Sequence, residues 1–331
     1  MDWAKFLAVA LTIPCHIPQE RGAQPVTYFE VFLLACLMFN SGYLKKEGAK
    51  LKDDLKKCWY QLGIPYIIYN ILFYPFWLIR YYTYHGFMPT HLSVYLKPIW
   101  GTLLLQGNND FACELNPVTW FIAALFIMRI LLDICLNIKH GNWLMGGLCL
   151  LGMGIYVVSK YNHFTTHYVV LGIAKSLVFF YMGFVCRKYE VFKQSNWRKD
   201  ALWFVVTLLI SIVLFVYHAG IGSNFALHML SYFPAVLLGL LAFIYFCKLL
   251  NGIHSDIVVN YSNGTMVFIG LHWMIVAFIR YGILKPFFHV PSDYIYTPLE
   301  AYALGLLVTL LLYPIILLFQ AQMPWMLGKR K

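Results

Sequence analysis

The stretch Ala201-Leu-Trp-Phe-Val-Val-Thr-Leu-Leu-Ile-Ser-Ile-Val-Leu-Phe-Val-Tyr217 carries no charged side chain, and between Phe204 and Val216 only the hydroxyls of Thr207 and Ser211 interrupt it. Extended by Asp200 to 200–217, it is long enough as a helix to cross most of a hydrocarbon core about 30 Å thick. Runs of the same kind recur at 3–18, 26–44, 59–80, 117–137, 142–159, 168–186, 228–249, 261–283 and 299–320, separated by shorter polar stretches. Ten such runs predict an all-α fold, a polytopic membrane helix bundle of about ten transmembrane helices. They form one domain, 1–331, without a separate soluble module. Composition agrees. The 331 residues are 61% hydrophobic and 12% charged, with a mean hydropathy of +0.67, whereas a soluble domain is about a quarter charged. The lipid bilayer is the expected solvent.

The net charge of +11 does not point to nucleic acid, because the basic residues fall in short clusters between apolar runs. Lys45, Lys46, Lys50, Lys52, Lys56 and Lys57 crowd the 45–58 segment, which belongs inside by the positive-inside rule. Counting alternately from it, Arg187, Lys188, Lys193, Arg198 and Lys199 also fall inside, as do Lys139, Lys248 and the tail Lys329-Arg330-Lys331. The outer loops hold Arg21, Lys97, Lys160 and Lys285. Both termini are therefore expected to be cytoplasmic, in a multi-pass protein of the plasma or inner membrane. Lys5 alone precedes the first run and no small-residue cleavage site follows, so the run reads as a retained span. Eight cysteines form no C-x-x-C pair; Cys15, Cys36, Cys135, Cys149 and Cys247 lie within apolar runs and Cys113 stands alone in an outer loop. Neither a disulfide framework nor a metal site is expected. The longest connection, 81–116, holds Tyr81, Tyr82, Tyr84, His85, His91, Asn108 and Asn109, and reads as a lid or acceptor-contacting loop.

Ionisable side chains within a span are costly and mark a functional interior; here they are Lys5, His16, Glu30, Arg129, Lys175 and His272. His16 follows Lys5 by eleven residues, ~16 Å of helix rise, which sets it near mid-bilayer when Lys5 is at the inner face. His272 lies equally far from Tyr261, the inner start of its run. Arg129 is nine residues, ~14 Å, into a run entered from outside near Trp120. Two imidazoles and a guanidinium at one depth suit acyl transfer, which needs a base for a hydroxyl proton and a cation for the developing oxyanion. Each also has a structural reading. Either histidine can tie helices together by a hydrogen bond, and Arg129 can pair with Asp133 or snorkel toward an interface. Lys175, ~10 Å from the outer face, and Glu30, near an outer end, read as solvated or structural. Tyr66, Tyr69, Phe73, Tyr74, Phe76 and Trp77 either line a sugar-binding cleft or pack helices, and the 45–58 lysines either hold donor phosphates or record topology.

Asp2-Trp-Ala-Lys5, followed by an apolar run and His16, resembles the opening of the acyltransferase family 3 membrane proteins, whose signature is Arg or Lys, ten residues, then His. Phe39-Asn-Ser-Gly-Tyr-Leu44 is similar to the family's S-G-Y segment, Trp120-Phe121 to its W-F element, and Gly264-Thr265 with Leu271-His272 to its late G-x-T and L-H stretch. Two departures stand out. Leu33-Leu34-Ala35 occupies the place of a frequent His-x-Pro element, so a second early histidine is absent. Lys5 replaces the commoner arginine, keeping the charge without the planar fork.

The resemblance implies a membrane-bound O-acyltransferase that moves an acyl group, usually acetyl from cytoplasmic acetyl-CoA, to a hydroxyl of a cell-surface or exported carbohydrate. His16 is then the expected base or acyl-relaying group, with His272 and Arg129 as partners, while Lys5, Asp2, Lys45 and Lys46 hold the donor. The expected partners are an acyl-CoA donor, a carbohydrate or glycolipid acceptor and the bilayer, with no nucleic acid and no metal. The residues alone also fit a transporter or flippase of a glycan or lipid-linked sugar, which wants similar midplane polar groups. A non-catalytic membrane subunit would tolerate substitution of both histidines.

Overall fold

The computed structural model describes residues 1–20, 25–46, 50–105, 115–162, 168–220 and 225–328. Arg21, Asn108, Asn109, Cys113 and the basic tail 329–331 lie outside the described residues. The regular elements are helices. In chain order they are α1 (Asp2–Cys15), α2 (Pro25–Tyr43), α3 (Leu51–Cys58), α4 (Ile64–His85), α5 (Leu92–Leu103), α6 (Trp120–Leu136), α7 (Gly141–Asn162), α8 (Tyr168–Lys188), α9 (Trp197–Gly220), α10 (Phe225–Leu250), α11 (Asp256–Asn263), α12 (Thr265–Ala277), α13 (Lys285–Phe288) and α14 (Pro298–Gln322). π-Helical turns at Trp59–Gly63 and Phe278–Leu284 join α3 to α4 and α12 to α13.

Among the described residues eight helices, from Leu51–Tyr82 to Pro298–Gln322, are long and apolar enough to cross a membrane, and they coincide with the last eight expected spans. The second expected span is α2, of 19 residues. The first is shorter than expected: α1 has 14 residues, ~21 Å of rise. Pro14 sits in its last turn, and Ile17, preceding Pro18, is disfavoured from helical geometry. Three other boundaries differ. Within the lysine-rich 45–58 segment, Leu51–Cys58 is helical, as α3, and leads into α4. The 81–116 connection contains α5, and its residues 106–114 lie outside the described residues. The span carrying His272 begins at Thr265, after a break at Gly264 between α11 and α12.

The chain divides into two compact units. The first comprises Met1–Lys46, Val178–Phe268 and Ile275–Leu317. Its α9 shows how polar and apolar residues sort. Thr207 and Ser211, the two interruptions of the opening stretch, are 4% and 0% exposed, while Leu202, Leu209 and Val213 are 62%, 59% and 66% exposed. This is the pattern of a helix whose outer face meets lipid. Ser211 Oγ accepts a 3.1 Å bond from Tyr28 of α2 and donates to Ala235 O of α10 at 3.2 Å. Helices α2 and α8 cross through a reciprocal glycine contact, since a Cβ at Gly42 would strike Phe180 O and one at Gly183 would strike Phe39 O. α14 starts with a capping box: Thr297 N–H donates to Glu300 Oε2 at 2.8 Å, Glu300 N–H donates to Thr297 Oγ1 at 3.4 Å, and Pro298 occupies the first turn.

The second unit comprises Glu47–Leu177, Ile269–Met274 and Leu318–Lys331. Tyr69, Phe73, Ile122, Met128, Leu132 and Met145 are its fully buried large side chains. Most of the aromatic run on α4 is part of this packing, with Tyr74 and Phe76 half-buried. Tyr66, Tyr69, Phe73 and Trp77 are buried, and the hydroxyls of Tyr66, Tyr69 and Tyr74 donate to Thr102 O, Met326 O and Tyr95 O.

Gly183→Ala forces the α2 and α8 backbones apart, an overpacking that costs about 1–3 kcal/mol. Its thermal unfolding in detergent is expected below that of the wild type, whereas Gly146→Ala, where an added Cβ meets nothing within 4 Å, leaves the midpoint unchanged or slightly raised.

Candidate functional site

His16 lies just beyond α1, as its C-cap, with φ −94° and ψ 0° and its N–H on Ile13 O at 3.0 Å. The residue keeps accessible surface although it is surrounded by protein, in contrast to buried Ile13, Pro14 and Ile17 beside it. Two features hold the turn. Gln19 Nε2 donates to Pro14 O at 2.8 Å and to Ile17 O at 3.3 Å, satisfying carbonyls that the ended helix leaves open. Tyr296 N–H donates to Pro18 O at 2.9 Å, which fastens the strand leaving the turn.

The other end of α1 is docked as firmly. Asp2 Oδ1 accepts from Ser262 Oγ at 2.6 Å, Trp3 Nε1 donates to Ile253 O at 2.9 Å, and Phe6 stacks on Tyr261 at 4.8 Å between centroids. Asp2 thus anchors α11. Lys5 is one turn further along the same helix, partly exposed, and Lys45 and Lys46 follow α2, the first buried and the second exposed. Glu30 is exposed.

Around the start of α1 the ends of α2, α8 and α10 enclose a cleft of about 210 Å³ within the first unit. Asn40, Tyr43, Arg187, Lys248 and Asn251 supply its polar lining, and neither Asp2, Lys5, Lys45 nor Lys46 is among its walls. Counting spans alternately sends all four of these helix ends to one side, and the cleft brings them together. Lys248 Nζ donates to buried Asp200 Oδ1 at 2.7 Å and to Gln194 O at 2.8 Å, while Ser195 Oγ donates to Asp200 Oδ2 at 2.8 Å. The acid that opens the 200–217 run is therefore a buried counter-ion. The Arg187 guanidinium lies 5.6 Å from the centre of the Tyr43 ring.

Arg129 and His272 belong to the second unit. Arg129, on α6, donates from Nη1 to Gln61 Oε1 at 2.9 Å, so its hydrogen-bond partner is a neutral amide in the π-helical turn before α4. His272, on α12, is 5% exposed. The neighbouring turn of α12 is fixed by a polar chain: Asn116 Nδ2 donates to Gly270 O at 2.9 Å, Thr119 Oγ1 to Asn116 O at 2.8 Å, and Asn70 Nδ2 to Thr119 Oγ1 at 3.0 Å. Gly270 lets the Tyr69 ring lie directly against α12, and Trp273 packs on Phe73 and Phe76, 6.2 Å away in each case. From the start of its span at Thr265, His272 is seven residues in, ~10 Å of rise, shallower than the boundary at Tyr261 implied.

The model of the acyltransferase domain of family 3 matches residues 1–318, the span that holds each of these residues. The chain belongs to acyltransferase family 3. No curated protein matches it, and no solved structure does. It is a multi-pass membrane acyltransferase, and its reaction takes an acyl group from a donor to an acceptor. In this acyltransferase the S-G-Y-like stretch has a physical account: Ser41 Oγ closes on Leu37 O at 2.8 Å, Gly42 permits the α2–α8 crossing, and Tyr43 lies against Arg187. Gln19, Gln61, Asn116, Asp200 and Arg187 shape the sites without having been singled out as site residues from the sequence. Each is a polar residue within an apolar run or at its edge, and that is the signal available for finding it.

Gln61→Leu removes a hydrogen bond to a charged group, worth about 1.5–3 kcal/mol. Its unfolding midpoint in detergent is expected to fall, and the loss is expected to shrink in an Arg129→Gln background, as a double-mutant cycle would show. Gln19→Leu is expected to cut turnover several-fold at unchanged protein level, because it loosens the turn that holds His16; steady-state kinetics on the purified variant checks this.

Proposed function

We propose that this acyltransferase transfers acetyl from acetyl-CoA to a hydroxyl of a cell-surface or exported carbohydrate, and that it works in the plasma or inner membrane. The observation that carries the reading is His16, a residue with accessible surface set in a non-helical turn at the end of α1 in a chain of this family. A neutral imidazole takes the proton of the acceptor hydroxyl as its oxygen attacks the thioester carbonyl. The C–S bond then breaks and the departing thiolate takes that proton back. In the relayed variant of the same reaction the imidazole nitrogen first accepts the acyl group and the hydroxyl then removes it.

Arg129 and His272, of the second unit, are further candidates in this proposal, the guanidinium as a group that stabilises a carbonyl oxygen as charge develops on it. Lys5, Lys46 and Lys45 supply positive charge for the donor's phosphates, and Asp2 orients the start of α1 through Ser262. Acyl transfer at a depth reached from both faces lets a cytoplasmic donor serve an acceptor on the far side. Mass spectrometry of surface glycans tests the proposal. Cells carrying the chain are expected to show glycans heavier by one acetyl group, and His16→Ala at normal protein level is expected to abolish the difference. Retained acetylation in His16→Ala would remove His16 from the chemistry, and identical glycans with and without the chain would overturn the carbohydrate acceptor.

A further inference from the structure

The cleft at the start of α1 has one chemical character. Its walls carry hydrogen-bond donors and no acidic side chain: Arg187, Lys248, Asn40 and Asn251 face it together with apolar Phe39 and Phe192. Asn40 is 4% exposed, and its Nδ2 has no hydrogen-bond partner among the described residues. A buried amide N–H left without an acceptor costs about 1–3 kcal/mol, so its place in the wall calls for an acceptor from outside the protein. The two cations differ. Lys248 is neutralised by Asp200 at 2.7 Å, whereas Arg187 is exposed and makes no ion pair among the described residues. Packing against the Tyr43 ring restrains the guanidinium while leaving its N–H edges free for an anion.

We infer that this cleft binds a phosphate group of an organic phosphate, with Arg187 as the charge-bearing clamp and Asn40 as a buried donor to the same group. A cleft of about 210 Å³ holds a phosphate or diphosphate and not a whole nucleotide carrier, so the rest of the ligand extends beyond it. Resting on the acetyl-CoA reading above, the ligand is the phosphate-bearing carrier of the acyl donor. Half-buried Phe192, edge to face with buried Phe39 at 6.1 Å, borders the cleft on its apolar side. This assigns donor binding to the ends of α2 and α8 in addition to the lysines that follow α2.

Calorimetric titration of coenzyme A into the full-length protein in phosphatidylcholine nanodiscs tests the site. Arg187→Gln, and independently Asn40→Asp, which sets a carboxylate in the wall at nearly constant shape, are each expected to weaken binding about ten- to hundredfold. Pyrophosphate is expected to compete in the wild type. Wild-type affinity in both variants, with unfolding midpoints unchanged, would overturn the site. Native mass spectrometry after reconstitution with phosphatidylglycerol separates the sources: anionic lipid retained by the wild type and lost in Arg187→Gln, without coenzyme A binding, would overturn the donor assignment. The site and the acceptor reading fail separately. Coenzyme A binding that depends on Arg187 with unaltered surface glycans would leave the site standing, whereas normal glycan acetylation with unchanged donor KM in both variants would remove the site alone.

Discussion

A hydroxyl, amide or charge within hydrocarbon has no water to bond, so each must find a partner in the protein or open on a cavity. That requirement organises this chain more than apolar packing does. Ser211 ties α2, α9 and α10 together in the first unit, and Asn70, Thr119 and Asn116 tie α4, the turn before α6 and α12 in the second. The apolar faces of α9 are left outward, where a soluble protein would put its charges. Asn40 Nδ2 stands outside this pattern, buried with no hydrogen-bond partner among the described residues.

The crossing of α2 and α8 links this packing to function. Gly42 and Gly183 bring two backbones into contact, and one turn of helix from the crossing Tyr43 meets the guanidinium of Arg187. A contact that looks purely structural in the second span thereby shapes a cleft with a basic edge. α1 connects that cleft to the proposed catalytic turn. Its start lines the cleft and is pinned through Asp2 and Trp3, and its other end leads into the His16 turn held by Gln19. The cleft and the His16 turn thus lie at opposite ends of one short helix.

The helical class and the positions of the long spans were legible because run length in hydrocarbon is a one-dimensional property. Trp120 opens α6 where the W-F element suggested, and Trp197–Gly220 brackets the 200–217 run. Ends were less legible where a local break competes with an unbroken apolar pattern. Gly264 divides what hydropathy reads as one span, and the prolines near His16 shorten another. The partners were least legible. Gln61 meets Arg129 from 68 positions away and Asn116 meets Gly270 from 154 away, and a single chain read without its fold has no means of pairing them. Neutral amides also cost less in lipid than charges and so draw less attention in a sequence. The α4 aromatics show the converse: abundance suggested a sugar cleft, but their hydroxyls are spent on backbone carbonyls.

Acyl transfer from a phosphate-bearing thioester to a carbohydrate hydroxyl unites the family membership, the His16 turn and the basic cleft. The direct measurement is stoichiometric: acetyl-labelled acetyl-CoA and a hydroxyl-bearing glycan are supplied to the purified protein in sealed vesicles, and thiol release, label on the glycan and glycan movement are followed together. The account predicts one thiol released for each acetyl group gained by the glycan. Glycan crossing the vesicle membrane with neither thiol release nor label gain would contradict it.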